Sequence, residues 1–232
     1  MFPEADVFAL VADPDHIPPR IREKGVSTSF LQRIPKAKRI HRYLLPLYPL
    51  AVEQLDLTAY DLVLTSDSGP MKGVLTRPDS VQICYCHSPM RYLWDGYHPY
   101  LASMPGFAKI PFAAASHYVR NWDFVAAQRV TRFIANSHYV ASRISHYYGR
   151  QSSVIYPPID TEFGHIADTV EDYYLAAGRL VPYKKTELII QACNRLGRRL
   201  RISGTGPDMG RLRSIAGPTV EFMGALNNQD LW

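Results

Sequence analysis

Short runs of apolar and β-branched residues recur along the chain at Asp6–Ala12, Val26–Leu31, Asp61–Thr65, Val81–Cys86, Arg132–Ala135, Ser153–Tyr156, Tyr173–Ala177, Leu200–Ser203 and Val220–Met223. Each has the length of a strand, and most end in Gly, Ser, Asp, Asn or Pro, so nine strands are expected. Between them, apolar residues three and four apart predict helices over about 43–56, 115–131, 138–148, 184–197 and 207–216. In the second of these, Val119, Trp122, Val125, Ala126 and Val130 make one apolar face. In the fourth, Leu188, Ile189, Ala192 and Leu196 are the apolar positions. Strands that alternate with helices imply parallel βαβ units and hence an α/β chain of doubly wound sheets. No internal repeat or low-complexity tract interrupts this order.

The best domain boundary is Tyr156-Pro157-Pro158-Ile159-Asp160, followed by an acidic stretch to residue 172. Two consecutive prolines hold the backbone extended and stop a helix on either side. The expected domains are therefore 1–157, with room for a nearly complete α/β unit, and 158–232. The second is short of the roughly 100–150 residues of an ordinary doubly wound domain. The ending Asn227-Asn228-Gln229-Asp230-Leu231-Trp232 reads as a helix just being capped, so the second domain is expected to be incomplete.

Composition narrows the class. With 47% hydrophobic residues, the chain has ample apolar surface to fold, which excludes a disordered chain. No run of about 18 apolar residues is present, so no transmembrane helix is expected. Met1-Phe2-Pro3-Glu4-Ala5-Asp6 has neither the basic nor the apolar region of a secretory leader. Three cysteines, Cys84, Cys86 and Cys193, cannot make a disulfide framework and suit a reducing cytoplasm. The net charge of +5 is unevenly spread: residues 20–42 hold eight Lys and Arg against Glu23 alone, and a second basic excess lies beyond residue 174. The first patch has few aromatics to stack bases, so nucleic acid is not an expected partner. Its sharper reading is peripheral contact with an anionic membrane, set against that of a plain solvated face.

Four segments carry candidate chemistry. Ala177-Gly178-Arg179-Leu180-Val181-Pro182-Tyr183-Lys184-Lys185 leaves a strand and enters a helix, placing Arg179, Lys184 and helix N–H groups around a potential anion site. Such cations suit a diphosphate leaving group; two solvated cations at a helix start are the plain alternative. Ile202-Ser203-Gly204-Thr205-Gly206-Pro207 is a strand entering a Gly-rich turn without a Walker Gly-Lys-Ser/Thr. Cys84-Tyr85-Cys86-His87-Ser88-Pro89-Met90-Arg91-Tyr92-Leu93-Trp94-Asp95 passes a strand's carboxyl end, where ligand crevices of open sheets lie, and its His87 and Arg91 suit a polar, ring-shaped ligand. The Cys-x-Cys-His string lacks a second cluster to complete a zinc site, so a metal is not expected. Asn136 and Ser137 follow another strand, and either can cap the next helix.

In order, YDLVLTSDSGPMKGV (60–74), CHSPMRYLWD (86–95), FIANSHYVASRI (133–144), VIYPPID (154–160), AGRLVPYKK (177–185), ISGTGP (202–207) and VEFMGAL (220–226) resemble the glycosyltransferase family 4 enzymes. These are sugar-nucleotide-dependent transferases of the GT-B fold, with two Rossmann-like parallel-sheet domains. The likeness is greatest to bacterial members that build surface polysaccharides, often as mannosyltransferases. The resemblance implies transfer of a hexose, with retention and without a bound metal or other cofactor, from a nucleotide sugar to a glycan or lipid-linked acceptor. By position it makes Arg179 and Lys184 the diphosphate pair, His87 the group facing the donor sugar, and Gly204 and Gly206 the turn near the nucleotide. It adds Arg91, Asn136 and Ser137 as substrate-side residues, with residues 1–157 the acceptor domain and 158–232 the donor domain. The family's first strand with its Gly-Gly loop and its Glu-x7-Glu segment have no counterpart, so the chain is expected to be clipped at both ends. A non-catalytic nucleotide-binding remnant, or a sugar-nucleotide epimerase of the same fold, is the alternative.

Overall fold

Alternation of side chains along Leu62–Asp67 decides how the first sheet is built. Val63, Thr65 and Asp67 are buried while Leu62, Leu64 and Ser66 face outward, the period of two that a strand imposes. The computed structural model describes residues 4–159, 161 and 169–227, with the side chains of 38, 39 and 41–43 left aside. It divides into two compact units, Met1–Pro157 and Pro158–Trp232. Both are α/β with wholly parallel sheets, as a Rossmann-like glycosyltransferase fold requires.

The first unit opens with β1 (Phe8–Ala9), α1 (Pro19–Arg22) and β2 (Ser27–Thr28), the two strands forming a sheet of their own among the described residues. Both strands are much shorter than their apolar runs: Ser29 ends the second by capping a 3-10 turn at Phe30–Arg33. After α2 (Ala37–Ile40), the predicted helix over 43–56 divides into a 3-10 segment containing Pro46 and then α3 (Tyr48–Glu53). Proline lacks the N–H that would continue one α-helix through 46. The main sheet follows, with β3 (Leu62–Asp67), β4 (Val81–Cys86), β5 (Arg132–Ala135) and β6 (Ser152–Val154) in that spatial order. Its helices are α4 (Tyr97–Ala102), α5 (Gly106–Arg129) and α6 (His138–Tyr148).

Cys84, Cys86, Phe133 and Ala135 pack on one side of this sheet with Ala127, Val130, Ile144 and Tyr148. α5 begins nine residues before its predicted start and runs through Pro111. Its buried side is Val119, Asp123, Ala126 and Ala127, so Val125, expected inside, is outside.

The second unit has β7 (Tyr174–Ala177), α7 (Thr186–Leu196), β8 (Leu200–Ser203), α8 (Met209–Ile215) and β9 (Val220–Gly224). The sheet order is β7-β8-β9, and Leu180, Ile190, Cys193, Leu200, Ile202 and Leu212 form its core. α7 turns the opposite way from expectation. Thr186, Ile190 and Cys193 are inside, and Leu188, Ile189, Ala192 and Leu196 are exposed. Both sides of this helix are apolar enough for either to face the sheet. The end of the chain, 228–232, where a capped helix was expected, lies outside the described residues, as does Asp160.

Candidate functional site

Register brings the candidate groups of the first unit to one edge. Asp67 pairs with Cys86, Cys86 with Ala135, and Ala135 with Val154, so the residues that follow each strand share the sheet's carboxyl edge. His87 stands there on a well-defined support. Its backbone N–H donates to Asp67 O at 2.8 Å, and its Nε2 lies 2.8 Å from Ser66 Oγ. Tyr85 meets the imidazole edge-on at 5.2 Å, and its hydroxyl donates to Ile155 O at 3.0 Å. Ser66 was not singled out from the sequence, where it is one serine in a strand-end loop.

Behind His87 lies a buried ionic network. The Asp67 carboxylate accepts from the N–H groups of Gly69 (2.7 Å) and Met71 (3.2 Å) and pairs with Lys72 Nζ at 3.1 Å. Lys72 also reaches Asp123 Oδ1 at 2.6 Å and donates to Gly69 O at 2.8 Å. The other Asp123 oxygen accepts from Trp94 Nε1 (2.9 Å) and the Tyr148 hydroxyl (2.8 Å). Burial works to lower the Lys72 pKa, but Asp123 and Asp67 together override it and raise it well above the ordinary lysine value. Burial also pushes the Tyr148 phenol well up, which keeps it protonated and donating. β3, α5, α6 and the loop after β4 are thus tied together beneath the edge that carries His87.

The loop from His87 to Asp95 has a second anchor. The Asp95 carboxylate takes both terminal nitrogens of Arg143, Nη2 to Oδ1 at 2.7 Å and Nη1 to Oδ2. Arg143 also donates to Pro89 O at 3.4 Å, so α6 holds the loop at two points. Arg91, on the same loop, is exposed. Ser137 acts as the cap of α6, its Oγ accepting from Val140 N–H at 3.2 Å. That hydroxyl also donates to Asn136 Oδ1 at 3.1 Å.

Cys84 and Cys86 point into the core, away from the Ser66 side, and their mutual contact together with burial raises the Cys86 thiol pKa. The Cys-x-Cys-His string therefore does not gather around one point. Among the described residues, no group of three or more His, Cys, Asp or Glu side chains is placed so that it could hold a metal ion.

In the second unit, Gly178 follows β7 and Arg179 stands exposed on the turn. Leu180 is buried, Pro182–Lys184 forms a 3-10 turn, and Lys185 takes the left-handed region at φ 56° immediately before α7. That conformation is uncommon for a residue with a Cβ. No side chain caps α7. Arg179 and Lys184 are both exposed, and neither side chain bonds or pairs with another described residue, so their charges are available to a ligand. Glu187 in the first turn of α7 opposes an anion there, but it is itself paired with Arg211 at 3.3 Å and Lys185 at 3.8 Å.

The two candidate glycines are explained by contact between loops. A Cβ on Gly204 would lie 1.9 Å from Gly178 O, and one on Gly206 would lie 2.0 Å from Leu180 O. Leu180 N–H donates to Thr205 O at 3.0 Å across the same seam. The Gly-rich turn therefore buttresses the loop that displays Arg179.

The basic stretch 20–42 is spread over several short elements. Arg20, Arg22 and Lys24 are exposed, Arg22 donating to Ile17 O at 3.2 Å and Lys24 to Ala5 O at 3.3 Å. The side chains of Lys38, Arg39 and Arg42 lie outside the described residues. No helix among the described residues is long and apolar enough to cross a membrane.

In comparison with known families, the model of Glycosyltransferase Family 4 matches residues 4–163 of the chain. It spans the first unit and stops just inside the second. No curated protein matches the chain.

Proposed function

Because the chain belongs to glycosyltransferase family 4, we propose that it is a retaining hexosyltransferase that uses a nucleotide-sugar donor, with mannose the favoured sugar. A glycan or lipid-linked saccharide is the proposed acceptor. The observation that carries this reading is the pair of unpartnered cations, Arg179 and Lys184, on a strand-to-helix turn of the second unit. Bond cleavage at the anomeric carbon leaves negative charge on the nucleoside diphosphate. Arg179 offers that group a forked pair of donors, Lys184 a compact charge, and the uncapped start of α7 further N–H groups. Stabilisation of a leaving group by fixed cations needs no resident metal, and none is part of the reading.

In the first unit, His87 is the proposed sugar-facing group. Ser66 at 2.8 Å holds its ring, and the Asp67–Lys72–Asp123 network holds the strand end beneath it. Arg91, Asn136 and Ser137 are the proposed substrate-side neighbours, Gly204 and Gly206 the turn beside the nucleotide. We take the protein to be cytoplasmic, in keeping with three free cysteines, and residues 20–42 as a basic surface for peripheral contact with anionic lipid.

The test is turnover with a panel of guanosine- and uridine-based hexose donors, reading free nucleoside diphosphate and transferred hexose by mass spectrometry. Transfer with retained configuration, reduced roughly a hundredfold by Arg179→Ala, supports the reading. Tight nucleotide binding without turnover identifies a non-catalytic nucleotide-binding protein. Interconversion of the donor sugar identifies an epimerase.

A further inference from the structure

A cavity of about 360 Å³ opens on the helix side of the first unit, walled by the rings of Trp94, Tyr97 and Tyr147 with Arg120 among them. α5 supplies Arg120, α6 supplies Tyr147, α4 supplies Tyr97, and the loop from His87 to Asp95 supplies Trp94. Trp94 packs on the core that includes Cys84 and Cys86 and donates to Asp123 of α5, so these walls belong to the buried side of the main sheet. His87 bonds to Ser66, which faces outward on β3, and so stands on the sheet's other side. The cavity and the His87 edge are therefore separate places on one unit.

Arg120 is held ready to grip an anion. Its Nε donates inward to Leu93 O at 2.5 Å, and its guanidinium carbon lies 4.8 Å from the centre of the Tyr97 ring and 6.0 Å from that of Trp94. One backbone carbonyl and two rings thus fix the plane of the group. Its two terminal nitrogens make no bond or ion pair with another described residue. They form a fork suited to two parallel bonds from one carboxylate or phosphate. Asp95 lines the same cavity, but Arg143 already takes both of its oxygens, so it sets no unpaired charge against an anion. Residues 96–122 contain no Asp or Glu, and His98 adds a ring nitrogen to the lining.

The rings decide what carries the anion. Trp94 and Tyr147 stack on each other at 4.8 Å and 23°, and Tyr97 stacks on Phe112 at 6.1 Å and 11°, so the walls are braced from behind. Rigid apolar walls beside a few fixed polar groups suit a ring-shaped ligand, held on its C–H face while its anion meets the fork. We propose that this cavity is a second saccharide site, which takes an anionic sugar unit with its carboxylate or phosphate on the two terminal nitrogens of Arg120. The choice of a sugar rests on the glycan acceptor proposed above, whereas the anion grip does not. Such a site lets the first unit hold an acidic glycan by a contact that leaves the His87 edge open to the reacting end.

The test is NMR titration of the full chain, without nucleotide, following the Arg120 Nε–H and Trp94 indole N–H signals. The probes are methyl glucuronoside, glucose 6-phosphate, methyl glucoside and acetate. The expected result is a shift of both signals by the glucuronoside or the 6-phosphate, whichever anion the site takes, at an affinity about tenfold or more above that for methyl glucoside, the worth of one hydrogen bond to a charged group. Arg120→Lys keeps the charge but loses the fork, and should weaken that binding about tenfold. His98→Ala, at an exposed position of the same lining, should weaken it by a smaller factor and serves if Arg120→Lys does not fold, which circular dichroism checks. Equal affinity for the anionic sugars and methyl glucoside overturns the anion grip, and equal affinity for acetate overturns the sugar. No shift of either signal with any probe, or unchanged affinity in Arg120→Lys, overturns the proposal outright. None of these readings involves glycosyl transfer, so failure of that reading is seen separately in the turnover assay.

Discussion

Replacing Lys72 by Met tests whether the buried ionic network holds the first unit together. Lys72 is 1% exposed, and the two carboxylates that it neutralises are equally enclosed, Asp67 at 2% and Asp123 at 0%. Met fills nearly the same space but removes the ammonium, leaving two buried negative charges without a counter-ion. Each retains neutral donors, Asp123 from Trp94 and Tyr148 and Asp67 from Gly69 and Met71, so the loss is partial. Breaking such a pair by removing one partner costs about 3–5 kcal/mol, a large part of the stability of most domains. The assay is urea unfolding followed by tryptophan fluorescence, because Trp94 donates directly to Asp123. The pH dependence has a defined sign. Since the folded Lys72 pKa is raised, its contribution is fully present below the ordinary lysine value of about 10.4 and is lost as pH rises through the folded value. The difference between wild type and Lys72→Met should therefore be level from pH 6 to 9. A loss under about 1 kcal/mol would refute the reasoning, because that is the range of an exposed pair.

Three further outcomes follow from particular contacts. Gly204→Ala forces a Cβ to within 1.9 Å of Gly178 O at φ 132° and should destabilise the second unit by about 1–3 kcal/mol. Gly210→Ala, where the added Cβ meets nothing within 4 Å in α8, should stabilise it by about 0.5–1 kcal/mol; thermal melts of both variants make the comparison. Burial works to raise the Asp95 pKa, but Arg143 overrides it and holds it below the ordinary value. The advantage of wild type over Asp95→Asn is thus present above about pH 3.9 and fades as pH falls through the lower folded value, as melts from pH 7 to 3 will show.

The strands among the described residues were legible because the runs are short and rich in apolar residues and most are closed by a turn former, and β4, β5 and β8 begin and end where those runs do. Helix faces were less so. α7 offers Leu188, Ala192 and Leu196 on one side and Ile190 and Cys193 on the other, and only packing against β7–β9 chooses between them. Val125 was misplaced for the same reason, because α5 is apolar on both sides. The candidate loops could be read from local pattern, since strand ends and helix starts mark themselves. Their supports could not: Lys72 and Asp123, or Asp95 and Arg143, are some fifty residues apart in the chain, and nothing in their neighbours announces the pairing. The glycines of 204 and 206 were visible as a turn, but the carbonyls of Gly178 and Leu180 that demand them were not.

Isothermal titration calorimetry with guanosine and uridine diphosphates is the most direct measurement of the central claim, that the turn after β7 grips the leaving group of a sugar transfer. The account predicts that the chain binds a nucleoside diphosphate more tightly than the matching nucleoside. Arg179→Ala and Lys184→Ala should each weaken that binding by about ten- to a hundredfold, the worth of one hydrogen bond to a charged group. Affinity that is unchanged in both variants, or equal for nucleoside and diphosphate, would contradict it.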